Sequence, residues 1–280
     1  DCLFLNVCTP AIDQKKRPVL VWIHGGAYRS GQGAVPWYNG TSFALNGDIV
    51  VVSINYRLGA LGFTDLSRFG DDYATSGVNG ICDQIKALDW VRDNISGFGG
   101  DPSKVTIAGE SAGGFSVATL LGCEQAQGLF RRAIPQSGAT HHTLTDDVGK
   151  VVADLLIDEL GVESIDELKS ASVLDILKAQ SRVDVRYNHM NIGNGVQAFY
   201  PVELNEVLPI PLRESIRAGV GASVPVLTGT NKDENTLFVV EKISPEKLRY
   251  QAKAYGSESL VEAYREMLPG ATETELAIEL

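Results

Sequence analysis

Five short runs limit what this chain can fold into: VLVWIH (19–24), DIVVVSINY (48–56), KVTIAG (104–109), RAIPQSG (132–138) and VPVLTG (224–229). Most are rich in β-branched residues, and each ends in Gly or a polar turn, which reads as a strand. Because they lack a clean polar–apolar alternation, they suit a parallel sheet buried on both faces. Helical patterns lie between them. GICDQIKALDWVRDNI (80–95) lines up Ile81, Ile85, Leu88, Val91 and Ile95 on one stripe. DDVGKVVADLLIDELG (146–161) opens on acidic residues and closes on Gly161, as helix termini prefer. Strand and helix in alternation predict an α/β fold with a mostly parallel, doubly wound sheet. Residues 139–215 break the rhythm, being charge-rich and helical with no strong strand. They are expected to form a helical insertion or cap within one domain spanning 1–280, over the carboxyl ends of the strands.

Between KVTIA and FSVATLLG stands GESAGG (109–114). A strand, G-x-S-x-G and then a helix describe a turn so tight that the serine backbone is strained and its hydroxyl stands clear of the sheet. Gly109 and Gly113 are expected where side chains would collide. The helix start offers free N–H groups and a positive dipole end. Ser111 is therefore the candidate nucleophile, and the N–H of Ala112 a candidate donor to an oxyanion. A second glycine-rich loop, HGGAYRSGQG (24–33), follows the run VLVWI; there the N–H groups of Gly26 and Ala27 are the expected partners in an oxyanion hole. A third segment, GTNKDENTLF (229–238), brings Asp233 and Glu234 to the end of a strand, where a carboxylate can orient a histidine. Spacing alone does not choose between the two.

These stretches together resemble the type-B carboxylesterase and lipase family, which includes the cholinesterases, and most resemble its bacterial para-nitrobenzyl-esterase-like members. DCLFLNV (1–7), FGGDPSKVTIAGESAGG (98–114), HGGAY, VSINYRLGALGF and LFRRAIPQSG carry the likeness in order along nearly the whole chain. It implies an α/β-hydrolase fold truncated at both ends, and a carboxylic ester hydrolase working through a serine acyl-enzyme. It assigns the nucleophile to Ser111, the acid to Glu234, the oxyanion hole to Gly26, Ala27 and Ala112, and supporting positions to Glu110 and Ser137. The family usually has Gly after its acid; Asn235 stands here, a residue that tolerates left-handed backbone. The triad order is Ser, acid, His, yet His24, His141, His142 and His189 all precede Glu234. The catalytic histidine is thus expected beyond the C-terminus of a fragment that is nearly inactive by itself. Two alternatives stay open: a non-catalytic adhesion or binding relative on the same fold, and a lipase.

A formal charge of −11 repels phosphate backbones, which argues against a nucleic-acid partner; the resemblance implies a small carboxylic ester as the partner. No run approaches the length of a membrane span. Cys2, Cys8, Cys82 and Cys123 have no metal-ligand spacing, and hydrolysis through a serine acyl-enzyme, as the resemblance implies, needs neither metal nor cofactor. The resemblance would pair Cys2 with an upstream cysteine in secreted members. It favours a bacterial cytoplasmic location and leaves secretion and oligomeric state open.

Overall fold

The structure is a computed structural model describing residues 2–190, 192–193, 196–239, 241–255 and 257–280. Asp1, which opens the DCLFLNV stretch, lies outside the described residues.

Five strands form one mixed sheet: β1 (Leu5–Cys8), β2 (Arg17–Ile23), β3 (Val50–Ile54), β4 (Gly100–Glu110) and β5 (Arg132–Gln136). Their spatial order is β1-β3-β2-β4-β5. The pairs β3–β2, β2–β4 and β4–β5 are parallel, and only β1 runs against its neighbour β3. Every residue of β3 is buried, which is why VVVSI shows no alternation. The sequence did not mark β1: four residues, LNVC, are too short for a period to emerge.

The run 224–229 lies parallel to β5 through bridges at Ala133/Val226 and Gln136/Gly229, without becoming a continuous strand. Ala133 N–H donates to the Pro225 carbonyl (3.1 Å), Leu227 N–H to the Ala133 carbonyl (3.0 Å) and Ser137 N–H to the Gly229 carbonyl (2.9 Å). Between Ala133 and Ser137 a parallel ladder calls for a donor from residue 135. Pro135 has none, so the ladder is interrupted there.

Eleven α-helices are described. Before β4 come α1 (Thr41–Gly47), α2 (Gly59–Phe63) and α3 (Asn79–Asn94), and α4 (Ala112–Leu121) follows β4 directly. After β5 come α5 (Asp146–Leu160), α6 (Ile165–Ser170), α7 (Val173–Met190) and α8 (Leu212–Arg217). The chain closes with α9 (Pro245–Tyr255), α10 (Glu258–Met267) and α11 (Glu273–Glu279). Gly161 ends α5 at φ 66°, the left-handed residue expected past its last turn.

Val21, Ile23, Val52, Ile54, Val105 and Ile107 from the strands share one buried cluster with Ile81, Leu88 and Val91 of α3 and Val117 and Leu120 of α4. Each such side chain contributes about 1.5–3 kcal/mol by leaving water. This packing holds the strand ends in place. A second, smaller cluster, built from Ile243, Leu248, Ala252, Val261 and Leu276, joins α9, α10 and α11.

Candidate active site

The residues singled out for chemistry lie at or past the carboxyl ends of β2, β4, β5 and the 224–229 edge. In parallel sheets that end carries the ligand site. Ser111 is the residue between β4 and α4, with φ 56° and ψ −124°. A side chain at positive φ strains the backbone, so its neighbours must enforce the geometry. They do so by backbone contact. A Cβ on Gly109 would stand 2.5 Å from the Gly113 carbonyl, and one on Gly113 would overlap the Ile23 carbonyl at the end of β2. Ser111 N–H donates to the Gln136 carbonyl (3.0 Å), which ties the turn to the end of β5. Ser111 is half-buried while Ala112, Gly113 and Gly114 are buried. Its hydroxyl is therefore carried on an accessible residue above the first turn of a ten-residue helix, where N–H groups lack intrahelical partners.

The loop after β2 lies against this turn. A Cβ on Gly25 would sit 2.6 Å from the Glu110 carbonyl and 3.3 Å from Ser111 Cβ, so only glycine lets the two segments touch. Gly26, Ala27 and Tyr28 follow with φ of 108°, 56° and 54°. Three successive positive values turn the main chain sharply, which redirects its N–H groups. The Glu110 carboxylate borders the same loop, with Oε2 3.2 Å from the place a Gly25 Cβ would take. Partial burial, then the nearby Glu234 carboxylate, raise the pKa of Glu110.

Ser137, just past β5, also has positive φ (47°). Its Oγ donates to Glu234 Oε1, and the same oxygen accepts from Asn231 N–H at 2.7 Å. These two bonds, the Ser137 one foremost, hold the Glu234 carboxyl below its ordinary value. Asp233 is exposed. Asn235 is not left-handed: it begins a single 3₁₀ turn, Asn235–Leu237, capped by Glu234 at φ −58°. Glycine is not required there, so Asn costs no strain.

The histidines are placed differently. His24 is buried, with Nδ1 2.8 Å from the Gly25 carbonyl and its ring stacked on Tyr56 at 4.5 Å. Burial lowers its pKa. His142 stacks on Phe115, one turn along α4 from Ser111, with ring centroids 3.4 Å apart. Burial, then the adjacent His141, lower it to about 3. Two side chains so distant in sequence give no local signal of that stack. His189 is exposed near the end of α7. A cavity of about 200 Å³ lined by Asp65, Asp146, Glu203 and Glu206 lies apart from these residues. The four cysteines are free thiols. Among the described residues, no helix is long and apolar enough to cross a membrane.

Comparison with known proteins gives the same family from sequence and from structure. The model of the carboxylesterase family matches residues 1–276. The chain is 42% identical over 241 residues to para-nitrobenzyl esterase of Bacillus subtilis (strain 168), covering 85% of this chain and 48% of that protein. It is 38% identical to phenmedipham hydrolase of Pseudarthrobacter oxydans, covering 84% of this chain and 46% of that one. Carboxylesterase EST55 of Geobacillus stearothermophilus superposes with a TM-score of 0.83 at 38% identity, over 99% of this chain and 58% of its own. A para-nitrobenzyl esterase structure gives 0.86 at 39% identity, over 99% and 57%. The chain spans about half the length of the curated relatives it matches. The fold is that of an α/β-hydrolase, and the chain belongs to the carboxylesterase family.

Proposed function

We propose that the protein carrying this chain hydrolyses small carboxylic esters through an acyl-enzyme on Ser111. The observation that carries the reading is the strained backbone of Ser111, held at the junction of β4 and α4 by the close packing of Gly113 on the end of β2 and of Gly25 on the turn. Strained backbone of this kind clusters at sites that position a reacting group.

In this reading Glu234 is the acid of the triad. Its hydrogen bonds from Ser137 and Asn231 keep it ionised, as a carboxylate that steadies an imidazolium must be. The base is a histidine outside residues 1–280. Among the four within the chain, His24 is buried against the Gly25 carbonyl, His141 and His142 pack ring to ring at 4.1 Å with burial making both weaker bases, and His189 lies out on α7. That histidine takes the Ser111 proton as Oγ attacks the ester carbonyl. The N–H groups of Gly26, Ala27 and Ala112 hold the negative oxygen. Histidine then protonates the departing alcohol, and water repeats the sequence to release the acid. An amide leaves less readily, which favours esters.

The test is a fluorophosphonate probe on the full-length protein, with para-nitrophenyl acyl esters as substrates. Labelling at Ser111, and loss of both labelling and turnover in Ser111→Ala, are expected. Unlabelled wild-type protein would point instead to a non-catalytic relative on the same fold.

A further inference from the structure

We infer that Tyr28 is a positioning residue of the ester-hydrolysing site: its buried hydroxyl fastens the loop after β2 to the helix that carries the nucleophile. This rests on the proposed function, because it concerns how the two halves of the oxyanion hole are kept in register.

An oxyanion hole built from Gly26, Ala27 and Ala112 has its donors on two separate pieces of chain. The Ala112 donor belongs to α4 and moves with Ser111. The Gly26 and Ala27 donors belong to a loop whose backbone sits in a sparsely populated conformation for three residues running. Such a loop relaxes unless something holds it. Tyr28, the last of the three, is 0% exposed. Its ring is packed edge-on against Phe63 (4.8 Å) and Tyr200 (5.1 Å).

The phenol ends on α4. Ser116 Oγ donates to Tyr28 Oη at 3.1 Å, and Gln84 Nε2 of α3 donates to Ser116 Oγ at 2.9 Å. Ser116 and Gln84 are both fully buried. Ser116 lies on α4, five residues after Ser111, the residue that caps the start of that helix. At its other end, the Tyr28 carbonyl accepts from Gly59 N–H at 2.7 Å. The next residue, Ala60, donates its N–H to Gln180 Oε1 of α7 at 2.8 Å. Tyr28 is thus held at its main chain through α2 and at its side chain by α4. Its Cα, directly after Ala27, has little freedom left.

A hydrophobic ring alone would keep the loop folded. The hydroxyl adds direction: it fixes how far the loop stands from α4, and so how Ala27 N–H is aimed relative to Ala112 N–H. Errors in aim of this kind weaken transition-state stabilisation more than substrate binding, since the oxyanion exists only in the transition state.

The experiment compares full-length wild type, Tyr28→Phe and Ser116→Ala. Active sites are counted by fluorophosphonate titration, so that misfolded molecules do not enter kcat. For Tyr28→Phe the expected result is a fall in kcat of about ten- to a hundredfold with KM changed less than about twofold. Binding of a trifluoromethyl ketone, which forms a tetrahedral oxyanion on the serine, is expected to weaken in parallel. Ser116→Ala should show a smaller loss in the same direction, and the double variant should lose no more than Tyr28→Phe alone. If Tyr28→Phe does not fold, Ser116→Ala decides by the same kcat and ketone readings. An unchanged kcat per titrated site, or equal loss in kcat and in ground-state affinity, overturns the inference. Failure of the wild type itself to label or turn over would instead refute the esterase reading.

Discussion

Replacing Ser111 by glycine should make the protein more stable, and the size of the gain measures the strain at the turn. Ser111 sits at φ 56°, ψ −124°, a conformation open to glycine and costly for a residue with a Cβ. Holding a non-glycine residue in such a region costs about 1–3 kcal/mol. Glycine removes that cost but gives the unfolded chain more freedom, which takes back about 0.5–1 kcal/mol. The net is about 0.5–2 kcal/mol in favour of Ser111→Gly. Alanine is the necessary control: it deletes the hydroxyl but keeps the Cβ and the strain, so Ser111→Ala isolates the loss of Oγ. Equilibrium unfolding in urea reads the difference. With a slope near 3 kcal/mol/M, the midpoint of Ser111→Gly should exceed that of Ser111→Ala by about 0.2–0.7 M at unchanged slope. A glycine variant no more stable than the alanine variant would falsify the claim that this backbone is strained.

Gly113→Ala should have the opposite effect. Its Cβ would overlap the Ile23 carbonyl, and backbone cannot move aside as a flexible side chain can, so a loss of about 2 kcal/mol or more is expected in the same urea measurement. Ser137→Ala removes the leading hydrogen bond that lowers the Glu234 pKa. A depressed carboxylate pKa adds stability that is present above the unfolded value and lost as pH falls through the folded one. The gap in urea midpoint between wild type and Ser137→Ala should therefore be largest near pH 7 and close as pH falls below about 4; a gap independent of pH contradicts the assignment. For His142 the folded pKa of about 3 lies below the unfolded value near 6.5. Between those values the unfolded chain binds the extra proton, so stability drops as pH falls from 6.5 toward 3. His142→Phe keeps a ring on Phe115 and should reduce the loss between pH 7 and pH 5 by about 1–2 kcal/mol. The 280-residue chain assayed alone should turn over para-nitrophenyl esters orders of magnitude more slowly than the full-length protein; comparable rates would place the base within these residues.

The parts of the fold legible in the sequence are those whose cause is local. KVTIAGESAGG announces strand, turn and helix within a dozen residues, because the steric demand of the turn acts on its immediate neighbours. Gly161 likewise marks the end of α5 where a left-handed residue is needed. The 224–229 run looked like the other strands, but Pro135, ninety residues away, decides that its ladder is broken. Asp233 and Glu234 were equivalent by spacing; only the fold brings Ser137 and Asn231 to one of them. The chain of bonds linking Gln84, Ser116 and Tyr28 belongs to the same class. Each of the three reads alone as an ordinary polar residue, and their meeting depends on β2, α3 and α4 sharing one core.

The contacts among Gly25, Gly109, Gly113 and the segments they meet run main chain to main chain, with little side-chain volume between them. Such a seam has no rotamers to hop and few soft degrees of freedom through which warming could loosen it. Heat should therefore not blunt the proposed nucleophile gradually. Activity on warming should follow the Arrhenius line up to the cooperative transition and then vanish with it, so that inactivation and loss of fold share one midpoint.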